Sequence, residues 1–181
     1  MVYILLGRGF EETEAVAPYD VLHRGGVDVR FAGVGGRTVS GGHGIEITCA
    51  CTVEEIDLEN TEMIVVPGGM GGVESIEKSS AAMELVKKAY DAGKRIAAIC
   101  AGPRVLAGLG ILDGVQAVCY PGMENEMAGG LMTQDQPAVT CGRVTTGRAA
   151  GTALDFGLEL LTVLKGRETA QKVAGSIYYE R

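Results

Sequence analysis

The sequence predicts an α/β chain built on a mostly parallel central sheet with helices over both faces. Three observations carry that expectation: short fully apolar runs, helical-period segments between them, and glycine clusters where one gives way to the other. Val2–Leu6 is the first such run, ended by Gly7, and reads as a buried strand. A helix is expected from about Glu11 to Arg24, stopped by Gly25-Gly26. Val27–Ala32 reads as the second strand. Val34–Ile47, punctuated by Gly35-Gly36 and Gly41-Gly42, reads as a small β-excursion. Met63–Val66 is another buried strand, cut off by Pro67-Gly68-Gly69. Ser79 or Ser80 caps a helix whose apolar face is Ala82, Val86, Ala89 and Tyr90, closing at Gly93. Ile96–Ile99 is the next strand, and Cys100-Ala101-Gly102-Pro103 opens another helical stretch. Val115–Cys119 reads as a later strand, followed by Ala138–Cys141 and Val144–Thr146 as a hairpin across Gly142-Arg143. A long helix is expected from roughly Gly151 to Leu164, then a short one around Glu168–Val173.

A chain of 181 residues without repeats or a linker is expected to form a single domain, residues 1–181, with a proper two-face core. Aromatics are only 5% of the residues against 46% apolar, so that core is aliphatic. The formal charge of −7 and the lack of a dense Lys/Arg run argue against nucleic acid as a partner, though not against a small anion at a helix terminus. Val2–Leu6 is too short for a signal-peptide core or a membrane span, so a soluble, cytoplasmic protein with no membrane partner is expected. The five cysteines have no zinc-like spacing, which favours free thiols and no metal. Gly7-Arg8-Gly9 lacks a third glycine at the dinucleotide spacing, and Pro67-Gly68-Gly69 has no lysine to complete a phosphate loop. No cofactor is expected.

Ligands of parallel sheets bind beyond the carboxyl ends of the strands. Three loops leave those ends here: Gly7–Glu14, Pro67–Gly72 and Cys100–Pro103. Ala98-Ile99-Cys100-Ala101-Gly102 has small residues two positions either side of its cysteine, the pattern of a nucleophile elbow. A thiol at a helix N-terminus feels unpaired N–H groups and the positive dipole end, which is expected to lower its pKa. The N–H of Ala101, with that of Gly69 as a second donor, would face a developing oxyanion. The bland alternative is a small cysteine buried in the core. Glu11 and Glu14 fall in the first turn of the first helix, where acids commonly just complement the dipole. The loop geometry would nonetheless put one of them beside the thiol, where negative sulfur pushes a carboxyl towards its protonated form. Only two histidines exist. His23 reads as a surface or interface residue, and His43 as either a solvated turn residue or a base for Cys100, supplied within the chain or by a partner subunit. Cys119 and Cys141 read as structural strand-end residues, and Cys49 and Cys51 as pointing the same way along one strand.

Gly9-Phe10-Glu11-Glu12-Thr13-Glu14, Val66-Pro67-Gly68-Gly69, Ala97-Ala98-Ile99-Cys100-Ala101-Gly102-Pro103 and Gly147-Arg148 with Gly151-Thr152 occur in an order that resembles the ThiJ/PfpI superfamily. Within it, the chain is most similar to the DJ-one branch of parkinsonism-associated protein deglycases and their YajL-like bacterial relatives. The resemblance implies a flavodoxin-like three-layer α/β sandwich, homodimeric, with Cys100 as an oxidation-sensitive nucleophile hydrogen-bonded by a protonated Glu14. Gly69 and Ala101 would supply the backbone donors, with Glu11, His43 and Arg148 as supporting groups. The implied activity is a cofactor-independent glyoxalase or deglycase acting on methylglyoxal-type 2-oxoaldehydes or glycated substrates, in protection against oxidative stress. The alternatives it brings are a redox sensor or chaperone whose Cys100 becomes a sulfinate, and an intracellular protease or amidase. Ala101 stands where the peptidase-like branch carries a histidine, and Tyr120 precedes Pro121 where another branch has one. Both departures remove a candidate base.

Overall fold

The computed structural model describes residues 1–180. Its centre is a seven-stranded sheet in the order β10-β11-β7-β6-β1-β2-β5. The strands are β1 (Val2–Leu6), β2 (Val29–Gly33), β5 (Cys51–Thr52), β6 (Met63–Val66), β7 (Arg95–Ile99), β10 (Ala138–Cys141) and β11 (Val144–Gly147). All neighbours run parallel except the edge pair β10 and β11. The chain is thus an α/β protein with a mostly parallel sheet.

Because side chains alternate along a strand, each central strand feeds two cores. Leu5, Ile64, Val66, Ile96 and Ala98 face one side, under α2 (Met70–Lys78), α3 (Ser80–Asp91) and α4 (Pro103–Gly108). Ile4, Leu6, Val65, Ala97 and Ile99 face the other, under α1 (Glu12–Arg24), α5 (Ala153–Lys165) and α6 (Arg167–Ser176). That two-sided burial is why these strands are apolar almost throughout, Arg95 at the start of β7 being half-buried. Helix α1 lies close on α5: a Cβ on Gly157 would come 3.0 Å from the Cα of Pro18. No described helix is long and apolar enough to cross a membrane.

The expected elements occur, with corrections. Ser79 caps α3, its hydroxyl accepting the N–H of Ala82 at 3.2 Å. The excursion is an antiparallel hairpin of β3 (Thr38–Ser40) and β4 (Glu46–Thr48). The Val115–Cys119 strand shrinks to β8 (Gln116–Ala117), which pairs with β9 (Leu131–Met132) away from the main sheet. The first turn of α2 occupies Met70–Gly72, where a loop was expected. Cys49 and Cys51 do not point the same way: Cys49 belongs to the α1 side of the sheet, Cys51 packs against the α3 side. Only Cys51 lies in a strand, so the alternation rule does not link them.

The chain runs from β1 outward to β2 and β5, then returns to β6 on the other flank of β1. The reversal leaves the carboxyl ends of β1, β6 and β7 side by side. Beyond them lies the site.

Candidate active site

Cys100 follows the last residue of β7 and has φ of 65°, a left-handed conformation shared by only one other described non-glycine residue, Tyr178. Such strain persists only where neighbours hold it. Here the Cys100 N–H donates to the carbonyl of Gly147 at 3.0 Å, and its carbonyl accepts the N–H of Tyr120 at 2.9 Å. Gly102 is required on the inner arm of this turn, since a Cβ there would lie 2.4 Å from the carbonyl oxygen of Val66. The elbow read from the sequence is present.

The first and second loops close on it. Glu11 caps α1 and donates its N–H to the carbonyl of Gly68 at 3.0 Å. One turn into the helix, the Glu14 carboxyl is only 1% exposed. Its Oε2 accepts the N–H of Gly68 at 2.9 Å, while Oε1 is buried without a hydrogen bond of ordinary geometry, although the Ala150 backbone also acts on the carboxyl. That oxygen belongs to the carboxyl that shares its hydrogen bonding with the Cys100 thiol. Gly68 separates the two: a Cβ on it would sit 2.4 Å from Glu14 Oε2 and 2.8 Å from Cys100 Cβ.

Burial is the chief force on both groups. It lifts the Glu14 carboxyl from 4.5 to about 7, helped by the charge of Glu11 and opposed by hydrogen bonds from Cys100 and Gly68. Burial, then the charge and hydrogen bond of Glu14, push the Cys100 thiol up to about 12. The N–H groups of Ala101 and Gly69 pull the other way without winning. The expected depression of the thiol is therefore corrected. The helix that should supply it has only six residues and starts three positions after Cys100, so its dipole is weak at the sulfur. The Glu14 carboxyl is shifted towards its protonated form, as expected, and reaches about 7, while the thiol beside it holds its proton more tightly. Above about 7 the pair holds one proton, and the sulfur is an anion whenever that proton sits on the carboxyl.

This arrangement has a signed consequence for stability. A carboxyl raised in the folded state contributes fully below its ordinary value, and the contribution is lost as pH rises from 4.5 through about 7. A shift of that size corresponds to about 3 kcal/mol at most. Glu14→Gln should remove the dependence. Urea unfolding at pH 5 and pH 8 is expected to show the variant gaining on wild type at the higher pH; an equal difference at both would show that Glu14 titrates normally.

Above the pair opens a cleft of about 540 Å³, lined by Glu11, Gly69, Met70, Cys100, Ala101 and the segment Tyr120–Met123 with Glu126. Cys100, Glu14, Gly69, Ala101 and Glu11 thus come together as expected. His43 and Arg148 do not join them. The His43 ring is 71% exposed, and its Nδ1 pairs with Glu12 Oε2 at 2.8 Å, with Glu11 Oε2 farther off at 3.7 Å. Glu12, the larger influence, raises the His43 pKa. Arg148 interacts with Glu124 and lies outside the cleft lining. Among the described residues, Glu11, Glu12 and His43 form a group whose donor atoms fall within 4.8 Å of one another, bound together as a hydrogen-bonded pair plus a neighbouring acid. Burial raises both Cys49 and Cys119 to about 11, and neither lines the cleft.

The sequence reading missed Gly68 as the spacer, Gly147 as the acceptor for Cys100, and Met70, Met123 and Glu126 as cleft walls. Gly68 was visible as the partner of Gly69. The Met123–Glu126 wall is a single 3-10 turn with no periodic pattern to announce it.

The model of the DJ-1/PfpI family matches residues 1–163. The chain is 34% identical to protein dj-1beta of Drosophila melanogaster over 173 residues, 94% of this chain and 92% of that one. The crystal structure of Drosophila melanogaster DJ-1beta superposes with a TM-score of 0.93 at 31% identity, covering 99% and 98% of the two chains. A deglycase of Pyrococcus abyssi is 30% identical, covering 91% of this chain and 99% of its own. The glutathione-independent glyoxalase of Caenorhabditis elegans is 33% identical, covering 87% and 84%.

Proposed function

Because the chain belongs to the DJ-1/PfpI family, we propose that it is a cysteine-dependent, cofactor-independent glyoxalase or protein deglycase. Its substrates would be methylglyoxal-type 2-oxoaldehydes or their adducts. The observation that carries this reading is a buried carboxyl set across Gly68 from Cys100, the only cysteine among the described residues that line the cleft. Relatives named as a deglycase and as a glutathione-independent glyoxalase support it.

In this reading the Cys100 sulfur adds to the aldehyde carbon. The carbonyl electron pair moves onto oxygen, which faces the N–H groups of Gly69 and Ala101 and takes up a proton. Glu14, as carboxylate, removes the hydrogen of that carbon as a proton and returns it to the adjacent carbon, while the hydroxyl proton on the first oxygen passes to the neighbouring carbonyl oxygen. The hemithioacetal becomes a thioester of a 2-hydroxy acid: one carbon is oxidised, its neighbour reduced, and no outside redox partner is needed. Water then cleaves the thioester, freeing the acid and restoring the thiol. With a glycated amine, the nitrogen leaves from the attacked carbon and takes its proton from the Glu14–Cys100 pair.

A homodimer in the cytoplasm belongs to the same proposal. Five free cysteines suit a reducing compartment. Ile45 beside Glu12 and Val16 one turn farther along α1 offer exposed apolar contacts. The second reading, a redox sensor, is favoured by the partly exposed sulfur and its two N–H donors. One experiment separates them. Protein free of added cofactor is incubated with methylglyoxal and lactate is measured, while a parallel sample takes mild peroxide and is weighed by mass spectrometry. Lactate above the buffer rate is expected. Two added oxygens on Cys100 with no lactate would overturn the enzyme in favour of the sensor.

A further inference from the structure

Resting on the reading above, we propose that the cleft selects cationic carbonyl adducts over anionic ones, and that Glu11 and Glu126 are the residues that set this preference. The adducts in question carry a guanidinium or ammonium group. Among the described residues that line the cleft, these two acids are the only charged side chains, and the remaining walls are Met70, Tyr120, Pro121, Met123, backbone and Cys100 itself. Nearby basic groups do not cancel them. Arg104 is held by a fork on Glu77, Nε to Oε1 at 2.9 Å and Nη2 to Oε2 at 2.7 Å, and reaches Glu126 only through Nη1 at 3.3 Å. Two carboxylates thus share one guanidinium, and the trio stays negative. His43 is bound first to Glu12, so one imidazole stands against two acids there as well. Neither Arg148 nor Glu124, on which Arg148 acts, lines the cleft. The field of Glu11 reaches the floor of the cleft, where it adds to the rise of Glu14.

The shape agrees with the charge. A cleft of about 540 Å³ is far larger than methylglyoxal needs, and it leaves room for the side chain that a dicarbonyl has modified. Both acids line the cleft, Glu11 with 22% of its side chain exposed and Glu126 with 48%. A carbonyl carbon seated at Cys100 would hold its cationic tail between them. Carboxylate-bearing carbonyls meet two like charges on the same path, which slows their approach.

Charge selection at the sulfur can be read without turnover. Cys100 is modified with 2-(trimethylammonio)ethyl methanethiosulfonate or with 2-sulfonatoethyl methanethiosulfonate, and the rates are followed at the Cys100 peptide by mass spectrometry. At low ionic strength the cationic reagent is expected to react at least about tenfold faster relative to their rates with a free thiol. The ratio should shrink towards unity at high salt. Glu11→Gln and Glu126→Gln should each cut it by roughly three- to tenfold, with the larger fall for Glu11, the less exposed acid. In a second arm, kcat/KM is compared for methylglyoxal hemithioacetals of thiocholine and mercaptoacetate. Equal reaction of the two thiosulfonates in wild-type protein overturns this inference whatever the turnover. Selective modification without any lactate overturns the enzymatic reading instead and leaves the charge preference standing. Should a variant fail to fold, the salt titration of the wild type decides alone.

Discussion

Cys100→Ser is expected to lower kcat/KM for methylglyoxal by at least about a thousandfold while the protein stays folded. The substitution keeps the size of the side chain, and the hydrogen bonds that shape the turn come from backbone groups of Gly147 and Tyr120. What changes is the nucleophile. In the thiol case the carboxyl of Glu14 accepts or returns a proton to sulfur, and about 7 is the pH at which the pair first goes from two protons to one. Wild-type activity should therefore rise as pH increases through about 7. A serine hydroxyl in the same place gives up its proton far less readily, so neither the rate nor that rise survives. Lactate production assayed from pH 5.5 to 8.5 in both proteins checks this, with thermal unfolding as the control for folding. Retention of more than a tenth of the wild-type rate by Cys100→Ser would remove sulfur from the chemistry.

Gly68→Ala is the second large effect, and it acts on the geometry of the pair without touching either member. The new methyl carbon would fall 2.4 Å from Glu14 Oε2, 2.8 Å from Cys100 Cβ and 3.1 Å from the Ala101 nitrogen. None of these can withdraw freely: the carboxyl is buried, Cys100 is fixed at both its backbone groups, and Ala101 is backbone. Overpacking of this kind costs about 1–3 kcal/mol. A displacement of the acid from the thiol by about 1 Å is expected to cost on the order of a hundredfold in kcat. The check is urea unfolding alongside kcat, together with the rate of Cys100 alkylation. An alanine variant with normal stability and normal turnover would mean that the carboxyl–thiol contact is dispensable.

Much of the architecture was legible because burial on both faces leaves a plain signature. Val2–Leu6, Met63–Val66 and Ile96–Ile99 carry no polar residue, and the first two occur as strands with the expected bounds. The start of α2 was illegible for the opposite reason. Its first turn contains Gly71 and Gly72, poor helix formers, which are there because the chain passes tightly: a Cβ on Gly72 would come 2.7 Å from the Cα of Phe10. A tertiary constraint overrode a local preference. Val115–Cys119 shows the converse: Ala117, Val118 and Cys119 are buried although only Gln116 and Ala117 pair as a strand.

The site shows the same division. Glycines and small residues around Cys100 reported a sharp turn, and the spacing from Glu11 to Glu14 reported an acid one turn inside a helix. Sequence could not say that the following helix would be short or that burial would outweigh its dipole. Nor could it say that His43 would be claimed by Glu12. These outcomes depend on distances between segments far apart in the chain.

The Cys100 turn is closed by the carbonyl of Gly147, a residue of β11, which in turn inserts beside β7. A growing polypeptide that has emerged only as far as α4 therefore owns the sulfur, the acid and the glycine between them, yet lacks the strap that tightens the bend. The bend that carries the sulfur is therefore completed only where β11 lies beside β7.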